Sequence, residues 1–324
     1  MRSSRSIFTM CLAAAALAAC RQKPAADDHT AHMAAGDLTN APVASSTSQG
    51  DLSLPPSAMH TAARLAASPR HGEWVALPYP DGKGDSLMAW IVYPSTTNAK
   101  SPVVVVVHEI FGLSSWVRGV ADQLASQGFI AIAPDLNSRI RGAATADSIA
   151  ADSAVKLSGH VSPADRNAAI DAAASYAMAQ PAAAPRYALI GFCYGGSTVW
   201  MQAVSGGVPG FSGAVAYYGL PYMTRQGQTS VPDRDSLMKI TKPVMLLSGA
   251  KDTRIGSAMP AVDSMMNALG KSYYGHNYPG AVHGFARAQD DPKAKRDEAE
   301  EQANLAAIKD AWPRTIEFLK LNLK

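Results

Sequence analysis

The sequence predicts an α/β fold: a mostly parallel central sheet of about eight strands with helices on both faces. Three observations carry this. From residue 71 onward, short apolar runs alternate with segments of helical period, the strand–helix–strand order that builds parallel sheets. Residues 102–109, PVVVVVHE, are β-branched nearly throughout and do not alternate, as a strand buried on both faces requires. A chain of 324 residues with 47% hydrophobic content can also fill a sizeable core.

The strands are expected, in order, at residues 73–77 (EWVAL), 87–93 (LMAWIVY), 103–108 (VVVVVH), 130–133 (IAIA), 188–192 (ALIGF), 214–218 (AVAYY), 244–248 (VMLLS) and 272–278 (SYYGHNY). Helices are expected between them at residues 116–127, 162–179, 197–205 and 259–269. The tail, residues 297–323, is helical in pattern, with Pro313 starting a second segment or kinking the first. No internal repeat or second-domain boundary interrupts this order, so residues 71–324 read as one α/β domain.

Residues 1–19 read as a targeting segment and lie outside the fold argument. Arg2 and Arg5 precede an apolar stretch, residues 7–16, too short to span a bilayer comfortably. The segment closes on Leu17-Ala18-Ala19-Cys20, which resembles the lipobox of bacterial lipoproteins. That resemblance implies cleavage before Cys20 and acylation of Cys20, and more than one acyl chain suffices for stable anchoring. Arg21, in place of an acidic residue, points by the same resemblance to the outer membrane facing the periplasm. Residues 20–70, rich in Ala, Ser, Thr, Asp and Pro, are expected to form a lipidated, flexible tether.

Of three cysteines, Cys11 leaves with the signal and Cys20 carries lipid, so Cys193 is left as the single free thiol and no disulfide forms within the chain. His29, His32 and His60 are scattered through the tether with nothing to fix a metal geometry, so neither a metal nor a cofactor is expected. A net charge of +3 without a basic stripe gives no footprint for nucleic acid.

Ligands in open parallel sheets bind at the carboxyl ends of the strands. Glu109, Cys193 and Asp252 each follow an expected strand, and His283 lies in the loop after the last. Gly191-Phe192-Cys193-Tyr194-Gly195 fits the nucleophile-elbow pattern with cysteine in place of serine. The tight turn needs residues without bulk on both sides of the nucleophile, and Gly191, Gly195 and Gly196 supply them. Cys193, Asp252 and His283 follow in the chain order nucleophile, acid, base. A lone cysteine is otherwise a common packing residue, and an aspartate after a strand a common cap. His108 and His276 compete as bases. His108 lies on the wrong strand and His276 within the last one, whereas His283 sits in a glycine-flanked loop.

The segments HEIFGLSSWVRGVADQLASQGFIAIAPDL (108–136), GFCYGG (191–196), the acid after GAK, and AVHGFAR (281–287) together resemble the dienelactone hydrolase family of the α/β-hydrolase fold. The resemblance covers nearly all of residues 74–321. It implies a hydrolase of lactones or carboxylic esters, of the carboxymethylenebutenolidase type that turns dienelactone into maleylacetate. It places the nucleophile on Cys193, the acid on Asp252, the base on His283 and an extra carboxylate on Glu109. The backbone N–H groups of Ile110 and Tyr194 would form the oxyanion hole, and the elbow rule selects Tyr194 independently. Arg287 would hold a substrate carboxylate; the competing reading is an ion pair with Asp290 or Asp291. A second such arginine would be Arg139 or Arg141, although residues 143–161 depart from the family pattern. By the same resemblance Glu109 restrains the thiolate until an anionic substrate displaces it. The small-molecule partner is thus a lactone or ester, and the membrane is reached through Cys20. The alternative is a surface lipoprotein that uses a hydrolase fold for ligand binding.

Overall fold

The valine-rich run lies in the middle of an eight-stranded sheet. The computed structural model describes residues 50–79, 86–95, 99–145, 147, 149–287 and 297–324. The targeting segment, Cys20, His29, His32, Asp290 and Asp291 fall outside them. In chain order the strands are β1 (Gly72–Pro78), β2 (Ser86–Val92), β3 (Ser101–Val107), β4 (Ile130–Pro134), β5 (Ala183–Phe192), β6 (Phe211–Tyr217), β7 (Met223–Gln226), β8 (Thr229–Pro232), β9 (Val244–Gly249) and β10 (Tyr273–Tyr278). The helices are α1 (Thr61–Ala66), α2 (Ser115–Ser126), α3 (Ser138–Arg141), α4 (Ala151–His160), α5 (Pro163–Met178), α6 (Tyr194–Ser205), α7 (Arg234–Leu237), α8 (Ile255–Ala268) and α9 (Glu298–Asn322).

The sheet runs β1-β2-β4-β3-β5-β6-β9-β10, with β7 and β8 a separate hairpin. Strand β2 is antiparallel to β1 and to β4; all other pairs in the sheet are parallel. All eight expected sheet strands are present, and the valines of β3 are fully buried, which is why that run has no polar alternation. The parallel register brings the carboxyl ends of β3, β5, β6, β9 and β10 to one edge, where Val107 pairs with Gly191 and Phe192 with Tyr217.

Local chemistry sets the helix ends. Ser162 caps α5 by accepting from Asp165 N–H at 3.1 Å, with Pro163 in the first turn. Asp297 caps α9 by accepting from Glu300 N–H at 2.8 Å. Pro313 starts no second segment. It lies inside the single helix α9, whose Trp312, Thr315, Ile316 and Leu319 are buried; that burial outweighs the hydrogen bond the proline removes.

The packed chain begins earlier than the expected boundary at residue 71. Residues 50–70, expected to belong to the flexible tether, lie as a strap along α2. Leu54 is buried, Trp116 Nε1 donates to the Pro56 carbonyl at 2.8 Å, and Arg64 donates to the Leu54 carbonyl and to Gln123 Oε1. Arg70 forms a bidentate pair with Asp122, and Ala58 N–H donates to the Arg287 carbonyl at 2.9 Å. The strap is ordered by these distant partners and not by any period of its own.

Candidate active site

Strand β5 delivers Cys193 and helix α6 starts immediately after it. Cys193 has φ 54° and ψ −112°, a conformation costly for a residue with a Cβ. The cost is held by close packing. A Cβ on Gly191 would meet the Gly195 carbonyl oxygen at 2.2 Å, and one on Gly195 would meet that of Val107 at 2.2 Å. Only glycine lets strand and helix approach this closely. Cys193 N–H donates to the Tyr217 carbonyl at 3.0 Å and its own carbonyl accepts from Ser197 N–H, which pins the turn at both ends and leaves the side chain partly exposed.

Asp252 and His283 meet on the next two loops. Asp252 Oδ2 lies 2.5 Å from His283 Nδ1, while Oδ1 accepts from the N–H groups of Arg254 and Ile255 at 3.1 and 3.0 Å. The aspartate therefore caps the start of α8 and orients the histidine at once; the two readings of this residue are one arrangement. The loops are stitched together by Lys251 N–H on the Ala281 carbonyl. Asn304 of α9 adds a bond from Val282 N–H to its Oδ1 at 3.0 Å.

The electrostatics follow from these contacts. Burial raises the Asp252 carboxyl, but the His283 bond and the two backbone N–H groups more than offset it, holding the group below its ordinary range. Burial lowers the His283 imidazole; the charge of Cys193 beside it and hydrogen bonds to Asp252 and Cys193 outweigh this and push it up to about 10.

Glu109 follows β3, is 4% exposed, and lies 3.4 Å through Oε2 from Arg287 Nη1. Burial pushes its carboxyl up, and Arg287 and His283 offset this only in part. Arg287 is itself buried, with its guanidinium 5.4 Å from the centre of the Phe111 ring. It faces Glu109, inside the site. Ile110 lies in the loop after β3 and Tyr194 opens α6, so both N–H groups belong to the segments that flank Cys193.

His108 stands behind this loop, fully buried. Its Nδ1 lies 2.6 Å from the Glu109 carbonyl oxygen and its Nε2 accepts from Leu136 N–H at 3.0 Å. The second bond fixes the tautomer: the ring is neutral, with Nδ1–H donating, and burial keeps its pKa low. The Glu109 carbonyl and the Ile110 N–H belong to one planar peptide, so His108 sets the direction in which Ile110 N–H points. Ser158 of α4 braces the same loop, donating from Oγ to the Ile110 carbonyl at 2.7 Å and accepting Tyr194 Oη–H on its own carbonyl at 3.1 Å.

Other candidates lie elsewhere. His276 is on β10, its ring 4.4 Å from that of Tyr278 and stacked at 6.3 Å on Tyr274. Arg139 lies over the Tyr79 ring at 3.5 Å and pairs with Asp165 at 3.5 Å. Arg141 bonds the Ala144 carbonyl. These contacts bring neither arginine to Cys193. His60 is bonded to Ser57 Oγ. Sequence reasoning passed over Tyr218, Ser158 and Asn304. Tyr218 ends an expected strand at the same sheet edge, a signal that was available; Ser158 and Asn304 act across long separations that no local pattern carries.

Eight strands in this order, with a strained strand-to-helix turn at Cys193 and a carboxylate–histidine pair at one sheet edge, define an α/β-hydrolase-type enzyme. The profile of the "Dienelactone hydrolase family" matches residues 87–323. A protein of Synechocystis sp. named "Putative carboxymethylenebutenolidase" is 30% identical over 231 residues, 69% of this chain and 87% of that protein. A protein of the same name from Salmonella typhimurium is 31% identical over 246 residues, 73% of this chain and 83% of its own length. The crystal structure titled "Putative Dienelactone Hydrolase" from Klebsiella pneumoniae superposes with a TM-score of 0.61 at 27% identity, over 78% of this chain and 98% of the other. The chain belongs to the dienelactone hydrolase family, and it is a hydrolase.

Proposed function

We propose that the protein cleaves a lactone or carboxylic ester with Cys193 as nucleophile, through an acyl-thioester. The observation that carries this is the strained Cys193 turn facing a histidine bonded to a buried aspartate. His283 takes the Cys193 thiol proton, Sγ adds to the substrate carbonyl carbon, and the N–H groups of Ile110 and Tyr194 hold the developing oxyanion. The tetrahedral centre collapses, breaking the ring or ester C–O bond, and the His283 imidazolium protonates the departing oxygen. His283 then takes a proton from water, which attacks the thioester and releases the acid and the thiol. Arg287 takes a carboxylate carried by the substrate, drawing it away from Glu109; Glu109 restrains the thiol until then. Dienelactone-type substrates, the kind named by the relatives' title of carboxymethylenebutenolidase, fit this arrangement of an activated carbonyl beside an anion.

The same proposal sets the enzyme in a bacterial cell envelope, anchored through acylated Cys20 with residues 20–49 as linker and facing the periplasm from the outer membrane. Leu17-Ala18-Ala19-Cys20 supports this placement. Incorporation of a clickable palmitate analogue, lost in Cys20→Ser, is expected; equal labelling of both proteins contradicts it.

The catalytic reading is tested with a short p-nitrophenyl ester. A burst of p-nitrophenol stoichiometric with enzyme is expected, absent in Cys193→Ala and His283→Ala. If wild type and both variants are equally inert across esters and lactones, the fold serves ligand binding instead.

A further inference from the structure

Helix α4 buries only two of its residues, Ala154 and Ser158, one helical turn apart on one face. A serine inside a helix usually bonds back to its own preceding turn or faces water. Ser158 does neither: it is 1% exposed, and its hydroxyl leaves the helix to donate to the Ile110 carbonyl at 2.7 Å. A hydroxyl carries one proton, so with that proton on Ile110 it accepts from Asn137 Nδ2 at 3.1 Å. Asn137 is itself fully buried. The loop after β3 presses on this pair, since a Cβ on Gly112 would meet Asn137 Nδ2 at 3.0 Å.

These bonds close around both segments that carry the oxyanion donors. Ile110 lies between two planar peptides. His108 Nδ1–H holds the first through the Glu109 carbonyl at 2.6 Å, and Ser158 Oγ–H holds the second through the Ile110 carbonyl. With both planes held, the backbone of Ile110 cannot turn, and its N–H keeps one direction. The other donor residue reaches the same serine. Tyr194 Oη–H donates to the Ser158 carbonyl at 3.1 Å, and the Tyr194 ring has the Arg166 guanidinium at 4.7 Å and the His108 ring at 6.4 Å.

We propose that Ser158 is a positioning residue of the reaction: through its hydroxyl and its carbonyl it sets the Ile110 and Tyr194 N–H groups toward one oxyanion. The proposal rests on the reading of those two groups as donors. It adds a part supplied by residues 143–161, the stretch that departs from the family pattern. Ser158 touches no substrate. Oxyanion donors act because they are aimed in advance at charge that develops only in the transition state. Loosening them therefore slows the chemical step and spares substrate capture.

The test is Ser158→Ala, which removes the hydroxyl and keeps the carbonyl. In stopped flow with a p-nitrophenyl ester, the acylation rate constant at saturation is expected to fall about tenfold to a hundredfold, less than the loss of a whole donor. The half-saturating concentration is expected to change by less than about threefold. The ester is then compared with its thionoester, whose sulfur is the weaker acceptor, so that the ester-to-thionoester ratio reads the donors themselves. That ratio is expected to fall about tenfold in Ser158→Ala. Tyr194→Phe breaks only the bond onto the Ser158 carbonyl and keeps the N–H. It is expected to lower the ratio about threefold to tenfold, and it carries the test should Ser158→Ala fail to fold. Tyr187→Phe is the control. It costs a buried hydrogen bond, Val208 N–H to Tyr187 Oη at 3.1 Å, about 20 Å along β5 from Cys193, and is expected to keep the wild-type ratio. An unchanged ratio in Ser158→Ala or in Tyr194→Phe overturns the proposal. An equal fall in Tyr187→Phe also overturns it, by making the serine merely structural. A wild type without a burst sinks the Cys193 reading and the proposal with it, whereas a Cys193-dependent burst with the ratio untouched by Ser158→Ala sinks the proposal alone.

Discussion

Gly195→Ala is the sharpest perturbation of the elbow. The added Cβ would sit 2.2 Å from the Val107 carbonyl oxygen and 2.6 Å from that of His108, against 3.4 Å for an ordinary contact. Both obstacles are backbone at the end of β3, so no side-chain rotation relieves them, and α6 must withdraw by about 1 Å. Overpacking of this kind costs about 1–3 kcal/mol, and a clash against backbone belongs at the upper end. At about 3 kcal/mol the melting temperature falls by roughly 6–12 °C for a domain of this size. The same displacement moves Cys193 against His283 and the Ile110 N–H, and an error of that size costs about a hundredfold in rate. Urea unfolding and burst kinetics read the two effects separately. Gly159→Ala is the control: nothing lies within 4 Å of its added Cβ on α4, so it is expected to gain about 0.5–1 kcal/mol. A Gly195→Ala protein within about 0.5 kcal/mol of wild type, with an undiminished burst, refutes the packing argument.

Three further outcomes are expected. The His283 imidazolium, raised from 6.5 to about 10, supports folding fully below pH 6.5 and loses that contribution as pH rises through about 10. The alkaline limb of kcat/KM is expected near pH 10 in wild type, and at lower pH in Asp252→Asn; an unmoved limb contradicts the assignment. His108→Phe keeps the shape but frees the Glu109 carbonyl and leaves Leu136 N–H unmet. It should cost about 1–3 kcal/mol in urea unfolding and lower kcat more than it raises KM, whereas an unchanged kcat separates the ring from the oxyanion geometry. A chain starting at Ala67 loses the strap over Trp116 and Arg287, and is expected to unfold about 3 kcal/mol more easily from lost burial of Leu54 and its neighbours; equal stability means the strap adds nothing.

The sheet was legible because its strands are short, apolar and unbroken, and burial on both faces imposes that composition. Cys193, Asp252 and His283 were legible because each follows a strand and two glycines mark a turn with no room for side chains. The strap was not, because Leu54, Pro56 and Arg64 find their partners on α2, far along the chain, and composition alone reads such a stretch as solvated. Pro313 left two readings open for a related reason, since the local penalty is visible in sequence and the core that keeps α9 a single helix is not. Arg287 lay beyond local pattern too. Its contact with Glu109, just past β3 and 178 residues away, leaves no mark on the sequence around it. Tyr218 read as one more strand residue, and only its positive φ and its ring beside that of His283 set it apart.

The central claim is that acyl transfer passes through Cys193. Acid-quenching the enzyme within the burst of a p-nitrophenyl ester, then digesting it and mapping peptides by mass, tests this directly. The account expects the acyl mass on the peptide carrying Cys193, at the stoichiometry of the burst, and its loss in Cys193→Ala. An acyl group on another side chain, or full turnover with Cys193 replaced by alanine, contradicts it.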